Sequence, residues 1–340
     1  MLRTVLLTGV SGVVGRAVAA ELRGFHVVGL AHSDTEVPEA DEVLWADLRQ
    51  PLLGLPQAQW HELAERVDVV VHSGALTNWG QTREIYQGIN IDGTARIIEF
   101  ARAAGAPIHL ISSCFVHALE RGGIDDLRPG NVVTPYIWSK LESERLVARS
   151  GLPYSIHRPT NVIGDSVTGA SSRPQIVQQV SEWFCRGKAP YFPLHPGNLM
   201  DFVPLDVTAH AIARAVEADA LGRVLWQTYG GEAMTADEAQ EIMVEHAASR
   251  GRSITPVPVV DPTLPLPVPL ERIAPMSRTF LQVLIDTSEV TNACGGVLPS
   301  SLPELREEFD VPAVSDRDAY RRTLEYWAHP ELGSDRKESA

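Results

Sequence analysis

The stretch TVLLTGVSGVVGRAVAAEL, residues 4–22, decides the fold of this chain. The apolar run Thr4–Thr8 is typical of a buried strand, and Val13–Leu22 has the length and pattern of a helix. The turn between them contains the three glycines Gly9, Gly12 and Gly15. Glycines permit a tight turn and let backbone amides approach a pyrophosphate, which the positive amino terminus of the helix attracts. The stretch therefore predicts a strand–turn–helix unit that binds a dinucleotide.

Short apolar runs alternate with helix-length segments through the first half of the chain. Apolar strands separated by helices predict a parallel sheet covered on both faces, the doubly wound α/β plan of a Rossmann-type fold. Further strands are predicted over His26–Leu30, Val43–Trp45, Val67–His72, Ile108–Ser112 and Tyr154–His157. Further helices are predicted over Gln57–Arg66, Arg83–Ala104 and Pro135–Ser150.

Beyond residue 160 the alternation loosens, and the segments Gly164–Phe202 and Val257–Ser300 are rich in proline and turn residues. Between these segments we predict a helix, a strand and a helix over Val207–Ala218, Val224–Thr228 and Thr235–Ala248. We expect a cofactor-binding domain and a smaller, irregular carboxyl-terminal substrate lobe. The domain would comprise residues 1–160 with parts of 200–230, the lobe 161–200 and 231–332, and a disordered tail 333–340.

The composition excludes several classes of function. A net charge of −14 and a pI near 5.2 argue against binding to nucleic acid or to an anionic membrane. No apolar stretch reaches the roughly 18–20 residues of a membrane span. The widely spaced cysteines fit neither a disulfide framework nor a metal site, and they indicate a reducing cytoplasm: Cys114, Cys185 and Cys294. The eleven histidines form no metal-binding spacing either.

A candidate catalytic pair begins the helix predicted over Pro135–Ser150. Tyr136 and Lys140 are four positions apart, which places both side chains on one face of a helix. A nearby ammonium lowers the pKa of a phenol from about 10. We therefore expect Tyr136 to exchange a proton with substrate near neutral pH.

These features, with G-x-x-G-x-x-G spacing in the glycine turn, resemble the extended short-chain dehydrogenases/reductases. The resemblance implies that Ser113, in the strand-end segment Ser112–Val116, is the third catalytic residue and hydrogen-bonds the substrate oxygen. The alternative is that the Ser113 hydroxyl only caps the strand end. Cys114 and Phe115 stand where dehydratases of the superfamily carry Asp-Glu, so elimination is not expected.

The same resemblance assigns the cofactor site. Asp47 and Leu48 match an adenine-contacting pair, the segment His72–Ala75 matches the lining of the adenosine ribose, and Asn90 begins an N-x-x-G-T helix. Arg158–Asn161 matches a stretch that runs beside the nicotinamide. The predicted cofactor-binding residues are Gly9, Ser11, Gly12, Val13, Val14, Gly15, Arg16, His32, Asp47, Leu48, Ser73, Gly74, Ala75, Asn90, Tyr136, Lys140, Pro159 and Asn161.

The choice between NADPH and NADH depends on the end of the second strand. An acidic residue there would bind the ribose 2′-hydroxyl and repel a 2′-phosphate. This chain has His32 at that place, where NADP-using relatives often carry arginine, and Arg16 follows the last glycine. NADPH is therefore favoured, and binding of NAD through the slightly later Asp34 is the alternative.

Three segments, Asp47–Leu55, Gln59–Asp68 and His72–Trp79, resemble one group in particular. This group is the thioester reductases, which include the terminal reductase domains of nonribosomal peptide and polyketide synthases and of carboxylic acid reductases. The likeness covers roughly residues 3–230, with a weaker match at Leu284–Ser288. It implies reduction of a thioester to an aldehyde and a free thiol in secondary metabolism. Whether a second round gives an alcohol stays open.

Members of this group usually follow a carrier domain, whereas this chain begins at its first strand. We therefore expect acyl groups to arrive in trans, on an acyl- or peptidyl-carrier protein or on coenzyme A, at a cytoplasmic monomer or dimer. An acidic carrier would need a local basic patch, for which Arg173, Arg186 and Lys188 are candidates.

Two other classes of function stay open. One is an NAD(P)H-dependent aldehyde or ketone reductase, a steroid-type dehydrogenase or a nucleotide-sugar epimerase. The other is a cofactor-sensing regulatory protein, although such proteins often lose the Tyr-x-x-x-Lys pair.

Overall fold

The structure of the protein is a computed structural model that describes residues 2–123 and 127–328. Its strands are β1 (Arg3–Thr8), β2 (Phe25–Ala31), β3 (Glu42–Trp45), β4 (Val69–His72), β5 (Ile108–Ile111), β6 (Tyr154–Pro159), β7 (Asn161–Ile163), β8 (Phe192–Pro193), β9 (Phe202–Pro204), β10 (Val224–Gln227) and β11 (Val259–Val260). Seven of them form one parallel sheet in the order β10-β6-β5-β4-β1-β2-β3. The predicted Rossmann-type sheet is therefore confirmed, and each predicted strand lies within two residues of an observed one.

Helices cover both faces of the sheet. They are α1 (Val13–Glu21), α2 (Gln57–Arg66), α3 (Arg83–Tyr86), α4 (Asp92–Ala104), α5 (His117–Arg121), α6 (Thr134–Arg149), α7 (Ile176–Cys185), α8 (Leu205–Glu217), α9 (Ala236–Ser249), α10 (Pro275–Ala293), α11 (Leu302–Phe309) and α12 (Asp316–Ala328). Buried side chains of α2, α4 and α6 form a core on one face of the sheet, and those of α1 and α8 form a core on the other. This arrangement brings the carboxyl ends of all seven strands to one edge, where ligands bind in such folds.

The predicted helix over residues 83–104 contains a wider turn. A π-helical segment, Gln87–Ile91, joins α3 to α4. Such bulges occur often at functional sites because they redirect a side chain. Here the segment carries Asn90, which is buried and turned towards the loop after β4.

The carboxyl-terminal lobe is more regular than its sequence indicates. Helices α7, α9 and α12 pack around a second core, to which the side chains of α10 add. The helix α10, of 19 residues, lies in the proline-rich segment that we expected to be irregular, and that expectation is wrong there. Pro275 occupies the first turn of α10, where its fixed φ and missing N–H favour a helix start. The proposed tail, residues 333–340, lies outside the described residues.

Along the described chain, no helix is both long and apolar enough to cross a bilayer. Elements β10 and α8, from the region 200–230, complete the sheet and one of its covering layers. We propose the same division into a cofactor-binding domain and a lobe, because β7 and β9 form a separate small sheet and the helices α7, α9, α10 and α12 contribute to a separate core.

Candidate active site

The glycine turn after β1 packs tightly against the loop after β4. Gly9 has a φ of +67°, and a Cβ added to it would lie 2.7 Å from the Cα of Gly74. A Cβ on Gly15 would lie 2.1 Å from the carbonyl oxygen of Gly9. Both positions therefore require glycine, and the amino terminus of α1 lies directly against the turn. The backbone amides of this glycine cradle, at the amino terminus of α1, are the groups that would hold a dinucleotide pyrophosphate.

Two arginines and a histidine lie near the ends of β2 and β3. The guanidinium of Arg49 donates to the carboxylate of Asp47, at 2.9 Å from Nη2 to Oδ2, and lies 3.2 Å from Nε2 of His32. Arg49 holds the pKa of the buried Asp47 carboxyl below its usual value. Arg16 donates to Asp34, at 2.7 Å from Nη2 to Oδ2. Arg49 was not among the cofactor-binding residues predicted from the sequence. Its place two positions after Asp47 was the one signal that pointed to it.

A buried histidine holds the loop after β4 in place. Nδ1 of His72 lies 2.7 Å from Oγ1 of Thr8, which also accepts a hydrogen bond from the N–H of Gly74 at 2.9 Å. Nε2 of His72 lies 3.1 Å from Oγ1 of Thr94. Burial lowers the pKa of His72 to about 3, so its ring is neutral. Because Oγ1 of Thr94 donates its proton to the carbonyl of Asn90, at 2.6 Å, it accepts from the Nε2–H of His72, and Nδ1 is left to accept from Thr8. The contacts fix the segment Ser73–Ala75 beside the glycine turn.

Asn90 has a positioning role in the structure. Its Oδ1 accepts from the N–H of Leu76 at 2.8 Å, and its Nδ2 donates to the carbonyl of Leu76 at 3.1 Å and to Oγ of Ser139 at 2.9 Å. The amide therefore ties the loop after β4 to α6. Direct contact of Asn90 with a cofactor, which the resemblance implied, stays a prediction beside this positioning role.

Gly93, the glycine of the predicted N-x-x-G-T helix, allows Leu48 to pack closely against α4. A Cβ on Gly93 would lie 3.0 Å from Cβ of Leu48, and one on Gly74 would lie 3.1 Å from Cδ1 of Leu48. Leu48 therefore fits between α4 and the loop after β4 only because both neighbours are glycine. Its apolar side chain forms part of the wall around the predicted adenine position.

The three predicted catalytic residues come together at the end of β5. The ammonium of Lys140 donates to the carbonyl of Ile111 at 2.6 Å. The hydroxyls of Ser113 and Tyr136 share a hydrogen bond. Oγ of Ser113 also accepts weakly from the N–H of Phe115, at 3.4 Å, and thereby caps a short 3₁₀ turn. The cap is the contact that the sequence left as the alternative, and a hydrogen bond from Ser113 to the substrate oxygen stays a prediction.

Burial dominates the electrostatics of the pair. Tyr136 is buried, and this raises the pKa of its phenol above the usual value, against a smaller lowering by the hydrogen bond with Ser113. The expectation that Lys140 would lower this pKa is wrong for the free protein, because desolvation outweighs it. Burial also lowers the pKa of Lys140 to about 8, against an opposing attraction by Glu144.

A chain of charges continues from the catalytic helix. Arg158 donates to Glu144, at 3.0 Å from Nε to Oε1, and to Glu120, at 2.9 Å from Nη1 to Oε2. The guanidinium of Arg158 also lies 4.6 Å from the ring centroid of Trp226. Sequence reasoning placed Arg158 only in a stretch beside the nicotinamide. The structure places it in a buried ion network behind Lys140.

His117 joins this network at its outer end. Nδ1 of His117 lies 3.2 Å from Oε2 of Glu120, and its ring packs edge-on against Trp226 at 5.3 Å between centroids. These contacts give His117 a structural role. In residues 2–123 and 127–328, no group of three or more His, Cys, Asp or Glu is arranged to hold a metal ion.

A large cavity adjoins the carboxyl ends of the strands. It has a volume of about 820 Å³. Its wall includes Trp79, Phe115 and Asn161, which follow β4, β5 and β6 respectively. The rest of the wall comes mainly from the lobe helices α7, α9, α10 and α12. Phe115, two residues after Ser113, brings the cavity wall near the three predicted catalytic residues, none of which lines the cavity itself.

The helix α10 also holds the segment that precedes the catalytic helix. The buried carboxylate of Asp286 accepts from the N–H of Val132 at 3.0 Å and pairs with Arg128. The amide of Asn131 donates to Glu289 at 2.7 Å. The weak match at residues 284–288 thus contains a structural carboxylate, and the lobe is anchored directly before α6.

Known proteins resemble this chain in sequence and in fold. Residues 25–212, more than half of the chain, match a family of NAD-binding domains described as "Male sterility protein". Cyclo-acetoacetyl-L-tryptophan synthase of Aspergillus oryzae is 28% identical over 234 residues, which cover 62% of this chain and 6% of that protein. The chain thus spans only a small part of the curated relatives that it matches.

Two solved structures share the fold. The terminal R domain of the myxalamid PKS-NRPS biosynthetic pathway superposes with a TM-score of 0.73 at 24% identity, over 97% of this chain and 91% of that one. UDP-glucuronic acid 4-epimerase from Bacillus cereus, in complex with NAD, gives 0.62 at 18% identity, over 95% and 98%. At such low sequence identities the two solved structures show only that the fold is shared. Membership of the family is shown by the match over residues 25–212. The chain belongs to this male sterility family of NAD-binding proteins, in the thioester reductase-like group of the extended short-chain dehydrogenases/reductases, and is an NAD(P)H-dependent oxidoreductase.

Proposed function

We propose that this oxidoreductase uses NADPH to reduce a thioester-bound acyl group in secondary metabolism and releases an aldehyde. The observation that carries the proposal is the meeting of Ser113, Tyr136 and Lys140 beside the glycine cradle, in a chain of the thioester reductase-like group. Phe115 connects this point to a cavity large enough for an acyl group. A further round of reduction to an alcohol would use the same residues.

The proposed mechanism assigns a task to each side chain. When bound, the nicotinamide supplies a hydride to the acyl carbon. The hydroxyls of Ser113 and Tyr136 donate hydrogen bonds to the acyl oxygen, where negative charge develops. Tyr136 then gives its proton to that oxygen, and the resulting hemithioacetal breaks its C–S bond to yield an aldehyde and a thiol. Lys140, anchored on the carbonyl of Ile111, holds a positive charge near the phenol and the cofactor ribose.

We propose that the cationic side chains at the ends of β2 and β3 favour NADPH over NADH. The side chains of His32 and Arg49 lie together and are mostly exposed. A 2′-phosphate can therefore reach them without any rearrangement of a buried site. Arg16, after the last glycine, is paired with Asp34. That ion pair also weakens the alternative in which Asp34 binds the ribose of NAD, since its carboxylate already has a partner.

Replacing Arg49 by alanine is expected to raise the KM for NADPH about tenfold and to leave the KM for NADH nearly unchanged. A hydrogen bond to a charged group contributes about 1.5–3 kcal/mol, and exposure of this site reduces the effect. The change also frees the carboxylate of Asp47 for a ribose hydroxyl. Initial rates with each cofactor measure the ratio. Arg66→Ala, at the opposite end of β3, is the matched control. Tighter binding of NADH than NADPH by the unaltered protein would contradict the proposal.

Reduction of a thioester is tested by its second product. With an acyl-coenzyme A or acyl-pantetheine substrate, we expect one free thiol for each NADPH oxidised if the aldehyde is released, and one for every two if the alcohol is formed. A thiol reagent and the absorbance of NADPH measure both quantities. Turnover of the matching aldehyde with no thiol released from any thioester would instead identify an aldehyde or ketone reductase.

The epimerase alternative has little support from the cavity. A nucleotide-sugar carries a diphosphate, which arginine or lysine side chains normally bind. None of the residues that line the cavity in the described chain is arginine or lysine. The regulatory alternative is weakened by the assembled Ser113, Tyr136 and Lys140, which a sensor would not need.

We propose that the acyl donor is presented in trans, on a carrier protein or on coenzyme A. Of the predicted basic residues, Arg186 donates to Glu182 at 2.9 Å from Nε to Oε1. Arg250 and Arg252 lie 3.7 and 3.1 Å from the same carboxylate. Three arginines therefore surround one glutamate, and exposed Lys188 adds to the excess positive charge. This patch, on a chain of net charge −14, supports docking of an acidic or phosphorylated donor.

A further inference from the structure

We infer that the cavity takes an uncharged, apolar acyl chain, and that peptidyl and carboxylated acyl groups are poor substrates. The inference deepens the proposed function, on which it rests, because it names the class of acyl group. Two observations support it. The cavity wall is mostly apolar, and most of its polar side chains form hydrogen bonds within the protein.

The wall is mostly apolar. Of its 25 residues, 17 are apolar, and none is lysine, arginine, histidine or glutamate. The apolar side chains come from every lobe helix around the cavity except α12, including Val180 of α7, Met243 of α9 and Leu284 of α10. Such a surface gains free energy when it covers methylene groups, and it offers no counter-charge to a carboxylate.

Most polar side chains of the wall already have partners within the protein. Oγ of Ser181 donates to the carbonyl of Val177 at 2.7 Å and lies 2.6 Å from the hydroxyl of Tyr320. Oγ1 of Thr287 donates to the carbonyl of Val283 at 2.8 Å. These contacts turn the hydroxyl groups of α7, α10 and α12 towards the protein. They leave few donors for a bound chain.

The acidic side chain of the wall is engaged as well. Oδ1 and Oδ2 of Asp201 accept from the N–H groups of Tyr229 and Gly230, at 3.0 and 2.8 Å. Thr160 donates from Oγ1 to the carbonyl of Asp201 at 2.9 Å. Asp201 therefore closes the turn after β10 and is not free to bind an amine on a substrate.

Ser288 is held in the same way at the other side of the wall. Its Oγ accepts from the N–H of His195 at 2.8 Å and lies 2.7 Å from Nδ1 of that ring. Among the described wall residues, the side chains of Asn161 and Thr291 and the indole N–H of Trp79 make no hydrogen bond to the protein. Three side chains cannot satisfy all the successive amides of a peptidyl group, and each amide that loses its water partners lowers affinity.

Acyl-pantetheine thioesters of matched length give the direct test. We expect kcat/KM to rise roughly fourfold for each methylene group that enters the cavity, so that octanoyl exceeds acetyl by at least a hundredfold. An octanoyl chain ending in a carboxylate and a dipeptidyl group of similar length are each expected to fall at least tenfold below octanoyl. The same acyl series is measured in parallel as free aldehydes.

Paired substitutions at Val180 test whether this cavity holds the chain. Val180→Phe fills space in the wall and is expected to lower kcat/KM for octanoyl at least tenfold, with acetyl changed less than threefold. Val180→Ala widens the space and is expected to shift the preference towards decanoyl. Val167→Phe, the same change at an exposed valine, is the matched control and should leave the profile unchanged. Retained acetyl activity shows that each variant is folded.

The outcomes separate the two proposals. If thioesters release no thiol but aldehydes show the expected chain-length profile, thioester reduction is refuted. The preference of the cavity for an apolar chain is then still supported. If acetyl equals octanoyl, or if the dipeptidyl or carboxylated group is preferred in the series that turns over, the inference about the pocket is overturned. An unchanged profile in Val180→Phe would likewise overturn the location of the chain.

Discussion

Replacing Tyr136 by phenylalanine is expected to lower kcat at least a hundredfold, while the KM for the cofactor changes less than threefold. The phenol is the proton donor of the proposed mechanism, and a positioned acid contributes about 10²–10⁴ to the rate. Phenylalanine keeps the buried ring and its packing, so the loss reports the hydroxyl alone. Steady-state rates of NADPH oxidation with a saturating acyl thioester measure the effect.

Tyr86 provides a matched control for this prediction. Its ring lies 6.1 Å from that of Tyr136 in the same buried cluster, and its hydroxyl donates to the carbonyl of Asn78 at 2.5 Å. Tyr86→Phe therefore removes an equivalent buried phenol hydroxyl without touching the proposed proton path. We expect its kcat to stay within about fivefold of the unaltered protein. Equal losses in the two variants, or full activity of Tyr136→Phe, would refute the assignment of Tyr136 as the acid.

Replacing Arg158 by leucine is expected to lower the free energy of unfolding by about 3–5 kcal/mol. Arg158 and Glu144 are both almost completely buried, with 5% of each side chain exposed. Removing the guanidinium leaves the carboxylate of Glu144 without its partner in a site of low polarity, which costs more than the pair contributes. Urea unfolding followed by circular dichroism measures the change.

Two further variants separate a buried unpaired charge from a loss of packing. The double variant Arg158→Leu with Glu144→Leu is expected to recover at least half of the lost stability, because neither buried charge of the pair remains. Arg145→Leu removes an exposed partner of Glu142 on the same helix, and we expect it to change stability by less than about 1 kcal/mol. If the double variant were no more stable than Arg158→Leu, packing of Arg158 on Trp226 would be the main contribution instead.

This network bears on catalysis through Lys140. Glu144 lies one helical turn after Lys140, and its charge opposes the lowering of the Lys140 pKa by burial. Arg158 shares Glu144, so the ammonium of Lys140 keeps the carbonyl of Ile111 as its direct partner. We propose that the ion pair helps to position Lys140, whose direct partner is the carbonyl of Ile111.

Local sequence patterns determined the sheet, the glycine cradle and the shared helical face of Tyr136 and Lys140. These features depend on residues within one turn or within one strand–turn–helix unit, so backbone periodicity and glycine geometry are sufficient to predict them. The prediction of irregular structure in the segment of α10 was wrong because it was based on the prolines there. Proline interrupts the interior of a helix, but it is favoured in the first turn, where Pro275 lies.

Only the tertiary structure decided which way the pKa of Tyr136 moves, where Arg158 finds its partners, and that most polar side chains of the cavity wall already have hydrogen-bond partners. Glu120, Glu144 and Arg158 come from three separate elements, and Asp201 meets Tyr229 across 28 positions of sequence. Burial and hydrogen bonding of this kind depend on which distant surfaces exclude water together. A sequence read locally contains the side chains that take part, but the exclusion of water arises only when the sheet, the helices and the lobe have packed.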